Sequence, residues 1–265
     1  AYTSSWGRRG TVPGNAVKIW NVAGPTPQLV DSLVLEGAIN TGDVQISDDG
    51  RLLVVATEPA PGSLAIYDRT DPARPRLLTR YSSPATRAGV HTAKLGRVNG
   101  RLYAFLSIDP APAQLVVLDL TDPAAPREAL VRPMGNPFVH DVFVRDGILI
   151  TCLWHDGIAI WDIGGAGRGG SPEAPVLLGS VRTAGGSAHN VWWFHDPTTG
   201  ARRYAFVGEE GPGVIGNRAS GDIHVVDLSD PTAPREVAFF HVEGAGPHNF
   251  TMDERRGILY AAYYN

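Results

Sequence analysis

The sequence predicts an all-β fold, a β-propeller built from four-stranded blades. Three observations support this prediction. A unit of about 49 residues recurs along the 265-residue chain, each unit carries four short apolar runs, and no stretch has the period of a helix. Four-stranded units in series are typical of propellers, in which each blade packs on its neighbours around a central channel. The alternative, a β-sandwich, lacks a repeated four-strand unit.

The third strand of each unit is the clearest element. Five runs of β-branched and aromatic residues close on Asn or Asp: VKIWNV, LAIYDR, LVVLDL, IAIWDI and IHVVDL. Four of them continue into a proline-containing turn, TDPARP, TDPAAP, SPEAP or SDPTAP. Proline presets the backbone of such a turn, and an Asp or Ser side chain can bond the backbone just beyond it. The apolar run after each turn predicts the fourth strand.

The first strand of a unit opens with a histidine in four copies, GVHTAKL, FVHDVFV, SAHNVWW and GPHNFTM. A tight hairpin containing glycine or aspartate follows, as in VRDG, and leads to a second apolar strand such as ILITCLW. Glycine and proline are abundant, with 31 and 21 copies, as expected for many turns between short strands.

The segments LAIYDRTDPARPRLL, LVVLDLTDPAAPREAL and IHVVDLSDPTAPREVAFF resemble the LVIVD-repeat proteins. Five tandem copies of this pattern cover nearly the whole chain, although the first carries NVAGPTP and the fourth inserts GGAGRGG before SPEAP. The resemblance implies a β-propeller in a periplasmic, secreted or cell-surface protein, and it does not imply one reaction. The stretch TCLWHDGIAIWDI is also similar to the selenium-binding proteins (methanethiol oxidases), copper-linked propellers that oxidise thiols.

The repeat predicts one propeller domain over residues 1–265, with both termini truncated within a blade. The strands fall into a group of three, four units of four and a final group of two. The second strand of a unit is therefore present once too often for a closed five-bladed ring. We expect a fragment of a six- or seven-bladed ring, and the alternative is a five-bladed ring with one redundant strand.

The recurring histidines are the candidate metal ligands. In a propeller the first strand of each blade lines the channel, so equivalent positions should ring its mouth on the top face. Imidazole is the usual ligand for zinc, copper and iron, which predicts a divalent transition metal there. The same residues could instead support the fold or bind an organic ligand. Gly42 occupies this position in one copy. The other four copies have a histidine there: His91, His140, His189 and His248.

The loops between second and third strands should reach the same top face. They offer acid–base groups, among which Glu209 has an adjacent Glu210 at the start of the glycine-rich loop GEEGPGVIGNRASG. We expect this loop to be flexible. His195 is expected to be solvated, and His224 to be a surface or packing residue of an outer strand. The candidate catalytic residues are Glu58, Asp109, His155 and Glu209.

Composition excludes several function classes. A net charge of −4 without a basic run excludes a nucleic-acid partner, and no apolar stretch approaches the ~20 residues of a membrane span. Cys152 is the single cysteine, so no intramolecular disulfide can form. No nucleophile elbow, Walker A loop or dinucleotide fingerprint is present, so no nucleotide cofactor is expected. The expected partner is a small molecule or a protein at the top face. Two functions remain, a metal-dependent oxidoreductase or hydrolase and a non-catalytic adhesion or protein-interaction propeller.

Overall fold

A computed structural model of the chain describes residues 1–109, 111–134, 139–211 and 221–264. These residues form 21 strands in six sheets, and the strands of each sheet follow one another in chain order. The described part of the chain contains no helix, and hence no helix able to cross a membrane. The chain divides into two compact units, Ala1–Pro133 and Met134–Asn265.

The first unit contains one sheet of three strands and two sheets of four. The three-stranded sheet consists of β1 (Tyr2–Ser4), β2 (Ala16–Asn21) and β3 (Gln28–Val34). The next sheet contains β4 (Asn40–Ile46), β5 (Leu52–Glu58), β6 (Ser63–Asp68) and β7 (Arg76–Tyr81). The last contains β8 (Thr92–Val98), β9 (Arg101–Ile108), β10 (Gln114–Asp119) and β11 (Arg127–Pro133).

The second unit contains two sheets of four strands and one hairpin. The first sheet contains β12 (Asp141–Arg145), β13 (Ile148–Cys152), β14 (Ile158–Asp162) and β15 (Val176–Val181). The second contains β16 (Ala188–Trp193), β17 (Tyr204–Glu209), β18 (Ile223–Asp227) and β19 (Arg235–Phe240). The hairpin pairs β20 (Gly246–Asp253) with β21 (Ile258–Tyr264).

The all-β prediction is confirmed, and so is the grouping of the strands into three, four fours and two. Each four-stranded sheet is an antiparallel meander, the form of a propeller blade. The number of blades in an intact ring and the single domain over residues 1–265 stay predictions.

Burial explains why the middle strands have such apolar sequences. Strands β13 and β14 are buried at every position, because apolar neighbours cover both faces of their sheet. Ile150 and Ile160 pack against Val191 and Val207 of the following sheet in one continuous core. The outer strands β15 and β19 are more exposed, and their exposed side chains include the apolar Leu177 and Phe239.

A β-bulge recurs between the last two strands of each of the five described sheets that have three or four strands. It lies two residues before the closing Asn or Asp, where an extra residue bends the outer strand and increases its twist. The closing aspartate then accepts a hydrogen bond from a backbone N–H two residues later, as the sequence predicted for the turn. The bulges lie at Ile19/Trp20, Ile66/Tyr67, Val117/Leu118, Ile160/Trp161 and Val225/Val226. The aspartates that close the turns are Asp68, Asp119, Asp162 and Asp227.

The insertion in the fourth copy wraps around the carboxylate of Asp162. Four backbone N–H groups donate to this buried carboxylate over 2.7–3.2 Å, those of Gly164, Ala166, Arg168 and Gly170. Burial alone would raise the pKa of Asp162, but these four donors outweigh it and lower the pKa to about 2. The fourth copy, which carries the insertion, therefore keeps the closing aspartate and adds hydrogen bonds to its carboxylate.

Replacing Asp162 by alanine is expected to lower the free energy of unfolding by about 3 kcal/mol, because several buried N–H groups lose a charged acceptor. In the wild-type protein this contribution is present above the ordinary pKa of 3.8 and is lost as the pH falls towards about 2. Chemical denaturation of both proteins measures the difference. The control is Asp156→Ala, which removes an exposed ion pair with Arg182 and should change stability by less than about 1 kcal/mol. Equal effects of the two substitutions would contradict this account.

Candidate metal centre

The structure places the recurring histidines at the beginning of the innermost strands. His91 directly precedes β8, and His140 directly precedes β12. His189 is the second residue of β16, and His248 is the third residue of β20. The backbone N–H of His140 donates to the carbonyl oxygen of Cys152 on the neighbouring strand at 2.8 Å, so the strand pairing itself fixes this position.

The vacant fifth position has a steric cause in the first unit. A Cβ atom at Gly42 would lie 2.9 Å from the backbone oxygen of His91, closer than such atoms normally approach. The backbones of β4 and β8 are therefore too close for any side chain at this point. The glycine follows from the local approach of two strands, and it carries no information about what the histidines do.

Three imidazoles form a row in the second unit. The ring centroids of His140 and His189 are 4.4 Å apart, and those of His189 and His248 are also 4.4 Å apart. His140 and His189 are only 7% and 3% exposed. Three consecutive inner strands thus bring their histidines together, with His189 in the middle.

A carboxylate completes this cluster. Glu210, the residue after β17, places its Oε2 atom 3.5 Å from Nε2 of His189. One ligand atom each from His140, His189 and Glu210 lie within 4.8 Å of one another, close enough for a single ion to contact all three after a small adjustment. Two imidazoles and one carboxylate are a common ligand set for zinc and non-haem iron. We call His140, His189, His248 and Glu210 the histidine cluster.

Aromatic side chains border the histidine cluster. The ring of Trp154 lies 4.9 Å from the ring of His140, in a turn where Trp154 has a positive φ of 53°. Tyr264 donates its hydroxyl hydrogen to Glu210 Oε1 at 2.8 Å, and its ring meets that of His248 edge-on. Burial raises the pKa of Tyr264, and the hydrogen bond to Glu210 raises it further, so the phenol remains a donor.

Two of the predicted catalytic residues hold the loop 183–187, which leads into His189. The Nδ1–H of His155 donates a hydrogen bond to the backbone oxygen of Gly186 at 2.8 Å. The Glu209 carboxylate accepts from the Thr183 hydroxyl at 2.6 Å and from the Gly186 N–H at 2.8 Å. His155 and Glu209 therefore both hold the backbone of Gly186, three residues before His189.

His224 pairs with the Glu209 carboxylate. The side chain was predicted to lie on the surface or in packing, and it is fully buried in β18 between two carboxylates. Its Nε2 lies 3.1 Å from Glu209 Oε2, and its Nδ1 lies 2.9 Å from Glu236 Oε1. Burial alone would lower the pKa of His224, but the two carboxylates outweigh it and raise the pKa. The raised pKa favours the protonated form of His224 between these carboxylates. Of the two positions expected for it, the surface is wrong and the packed interior is confirmed.

The expectation that His195 is solvated is also wrong. This side chain is 9% exposed, and its ring packs at right angles on Trp193 with the centroids 4.3 Å apart. Burial and the nearby Arg145 lower the pKa of His195 to about 4, so it is neutral at physiological pH. It follows β16 at the end opposite to His189.

The remaining predicted residues lie together in the first unit. Nδ1 of His91 is 2.9 Å from Glu58 Oε2 and 3.7 Å from Asp109 Oδ2. The indole N–H of Trp6 donates to Glu58 Oε1 at 2.8 Å, so the carboxylate is held on both oxygens. Burial raises the pKa of Asp109, and the nearby His91 partly opposes that rise. A carboxylate in this position orients the imidazole ring of His91.

Sequence reasoning did not select Glu210 or Tyr264. The sequence shows two adjacent glutamates, Glu209 at the end of β17 and Glu210 directly after it, and only the strand end determines that Glu210 is the one beside His189. Tyr264 gave no signal, because its contact depends on how β21 lies beside the end of β17. Most of the glycine-rich loop that follows Glu210, residues 212–220, lies outside the described residues.

Comparison with known proteins supports the fold alone. No protein-family model and no curated protein sequence matches the chain. A periplasmic gluconolactonase, PpgL of Pseudomonas aeruginosa, is similar with a TM-score of 0.72 at 15% identity, over 93% of this chain and 71% of that protein. The C-terminal WD40 domain of Sif2 has a TM-score of 0.57 at 12% identity, over 94% and 73% of the two chains. Chaetomium thermophilum Sqt1, bound to the N-terminus of the ribosomal protein L10, has a TM-score of 0.64 at 15% identity, over 94% and 63%.

Proposed function

We propose that this β-propeller binds a divalent transition metal at the histidine cluster. The observation that carries the proposal is the convergence of one ligand atom each from His140, His189 and Glu210 within 4.8 Å. His248, whose ring lies 4.4 Å from that of His189, supplies a further imidazole beside them. Side chains from the innermost strands and from the end of β17 therefore meet at one point of the second unit.

The chemistry of these donors fits such an ion. Ligands of a tetrahedral metal with bonds of about 2.0–2.1 Å lie roughly 3.3 Å apart. The His189–Glu210 pair at 3.5 Å already has this spacing, and the remaining ligand atoms, within 4.8 Å, would move closer together on binding. The buried imidazoles of His140 and His189 have little water to displace, and the one carboxylate balances part of the charge of the cation. Iron, copper and zinc are the candidate metals for this ligand set.

We further propose a catalytic use of this site, as a hydrolase or an oxidoreductase. A bound metal would supply Lewis-acid or redox chemistry there. Glu210 would bind the metal through one carboxylate oxygen, and the ring of Trp154 would border the site next to His140. The fold likeness to a periplasmic gluconolactonase makes lactones the first substrates to test and supports an extracytoplasmic location. We also propose, from the five repeated segments, that the chain is related to the LVIVD-repeat proteins.

Metal analysis of the purified protein tests the metal site. After incubation with Zn²⁺, Fe²⁺ or Cu²⁺ and dialysis, we expect about one ion per chain for at least one metal. The double variant His140→Ala/His189→Ala should lose it, because both buried donors are gone. A matched control is His241→Ala, which removes an imidazole 48% exposed on the surface. Retention of the ion by the double variant, or its loss in the control, would refute the site.

A second candidate function is a non-catalytic protein-interaction propeller. It is supported by the likeness to Sqt1, a propeller whose structure contains the N-terminus of another protein. The same metal analysis separates the two functions, because a pure interaction surface does not require an ion at the histidine cluster. A folded wild-type protein that takes up no metal would favour this second function.

A further inference from the structure

Tyr264 lies outside the histidine cluster and contacts both its acid, Glu210, and its third histidine, His248. Its hydroxyl donates to Glu210 Oε1 at 2.8 Å, and its ring lies edge-on to His248 with the centroids 5.8 Å apart. Tyr264 ends β21, whereas Glu210 follows β17 of the preceding sheet. One residue of the terminal hairpin therefore reaches across to a ligand candidate on another sheet.

This contact divides the two oxygens of Glu210. Oε1 accepts the phenolic hydrogen, and Oε2 lies 3.5 Å from Nε2 of His189. The backbone N–H of Glu210 also donates to the oxygen of Ser187 at 3.1 Å, so the backbone and the far oxygen are both fixed. A carboxylate held in this way presents one defined oxygen to the imidazole nitrogens. Without the phenol, the side chain could rotate about its last bonds and turn either oxygen to the site.

We propose, on the basis of the metal site proposed above, that Tyr264 is the positioning residue of that site and acts through Glu210. Hydrogen bonds to the outer oxygen of a metal-binding carboxylate orient the ligand, and their loss typically lowers metal affinity about 10–100-fold. The edge contact with His248 fixes the phenol in turn. The residue that the sequence left unnoticed would thus set the geometry of the acid.

A double-mutant cycle on Tyr264 and Glu210 tests this role, with Co²⁺ as the spectroscopic probe. Tyr264→Phe removes only the hydroxyl and is expected to weaken Co²⁺ binding about 10–100-fold. In the Glu210→Ala background the same change should cost less than about 3-fold, because the acceptor of the phenolic hydrogen is already gone. The visible absorption of bound Co²⁺ should also change in Tyr264→Phe, which a purely structural contact would not cause.

Tyr260→Phe is the matched control, since Tyr260 lies on the same strand and is 48% exposed. It should bind Co²⁺ like the wild-type protein. Wild-type affinity in Tyr264→Phe, or an equal loss in both backgrounds, would overturn the positioning role while leaving the metal site intact. A wild-type protein that fails to bind Co²⁺ or any other tested metal would instead refute the metal site itself, and the positioning role with it.

Discussion

Replacing His189 by alanine is expected to lower the affinity for the metal more than about 100-fold, the largest effect of any single substitution in the histidine cluster. Partners outside the ligand set already change metal affinity about 10–100-fold, and a ligand should exceed that range. His189 is the central ligand of the proposed site, because its ring lies between those of His140 and His248 and it faces Glu210. His248→Ala should have a smaller effect, since His248 lies at the end of the row.

The matched control for His189→Ala is His195→Ala. His195 follows the other end of the same strand, is also buried, and is neutral, because its pKa is about 4. Metal titration of both variants, with far-ultraviolet circular dichroism to verify folding, should show the loss only in His189→Ala. Similar affinities in the two variants would mean that the row of imidazoles serves the fold alone.

Replacing His224 by leucine is expected to lower the free energy of unfolding by about 3–5 kcal/mol at neutral pH. The substitution leaves the carboxylates of Glu209 and Glu236 close together without their shared cation, and removing one member of a buried ion cluster typically costs this much. The loop 183–187 should loosen as well, because Glu209 binds Thr183 and Gly186, and Glu236 accepts from the N–H of Ala184 at 2.8 Å. Chemical denaturation measures the loss.

The pH dependence of this loss has a defined sign. The pKa of His224 is raised above 6.5, so its contribution is complete below that value and disappears as the pH rises through the folded-state pKa. Burial would raise the pKa of Glu209, but hydrogen bonds from His224 and Thr183 lower it below 4.5, and this contribution is lost as the pH falls through the folded-state pKa. The difference between wild type and His224→Leu should therefore peak in mildly acidic solution. A difference that stays constant from about pH 5 to about pH 9 would contradict a charged His224.

The repeat made the fold predictable. Apolar strands, turn residues and a closing Asp or Asn recur in each copy, so every copy supported the same interpretation of the others. Even the copy with the long insertion keeps its aspartate, and Asp162 simply gathers the extra backbone around its carboxylate. The bulge before each aspartate was not predicted, because it leaves no residue type of its own in the sequence.

The candidate site was predictable only where it follows the repeat. Equivalent strand starts bring His140, His189 and His248 together, as rotational symmetry requires. The carboxylates follow no repeat. Neighbouring residues of a strand point to opposite sides, so Glu209 turns to His224 while Glu210 turns to His189. Which glutamate faces the cluster depends on where β17 ends, and a sequence read alone places strand ends within only a few residues.

Anomalous diffraction from a crystal grown with the bound metal tests the central claim most directly. We predict a single strong anomalous peak in the second unit, about 2.0–2.2 Å from one imidazole nitrogen each of His140 and His189 and from an oxygen of Glu210. A metal bound elsewhere would contradict the claim. So would a metal-saturated crystal in which the histidine rings keep their present spacing with no ion between them.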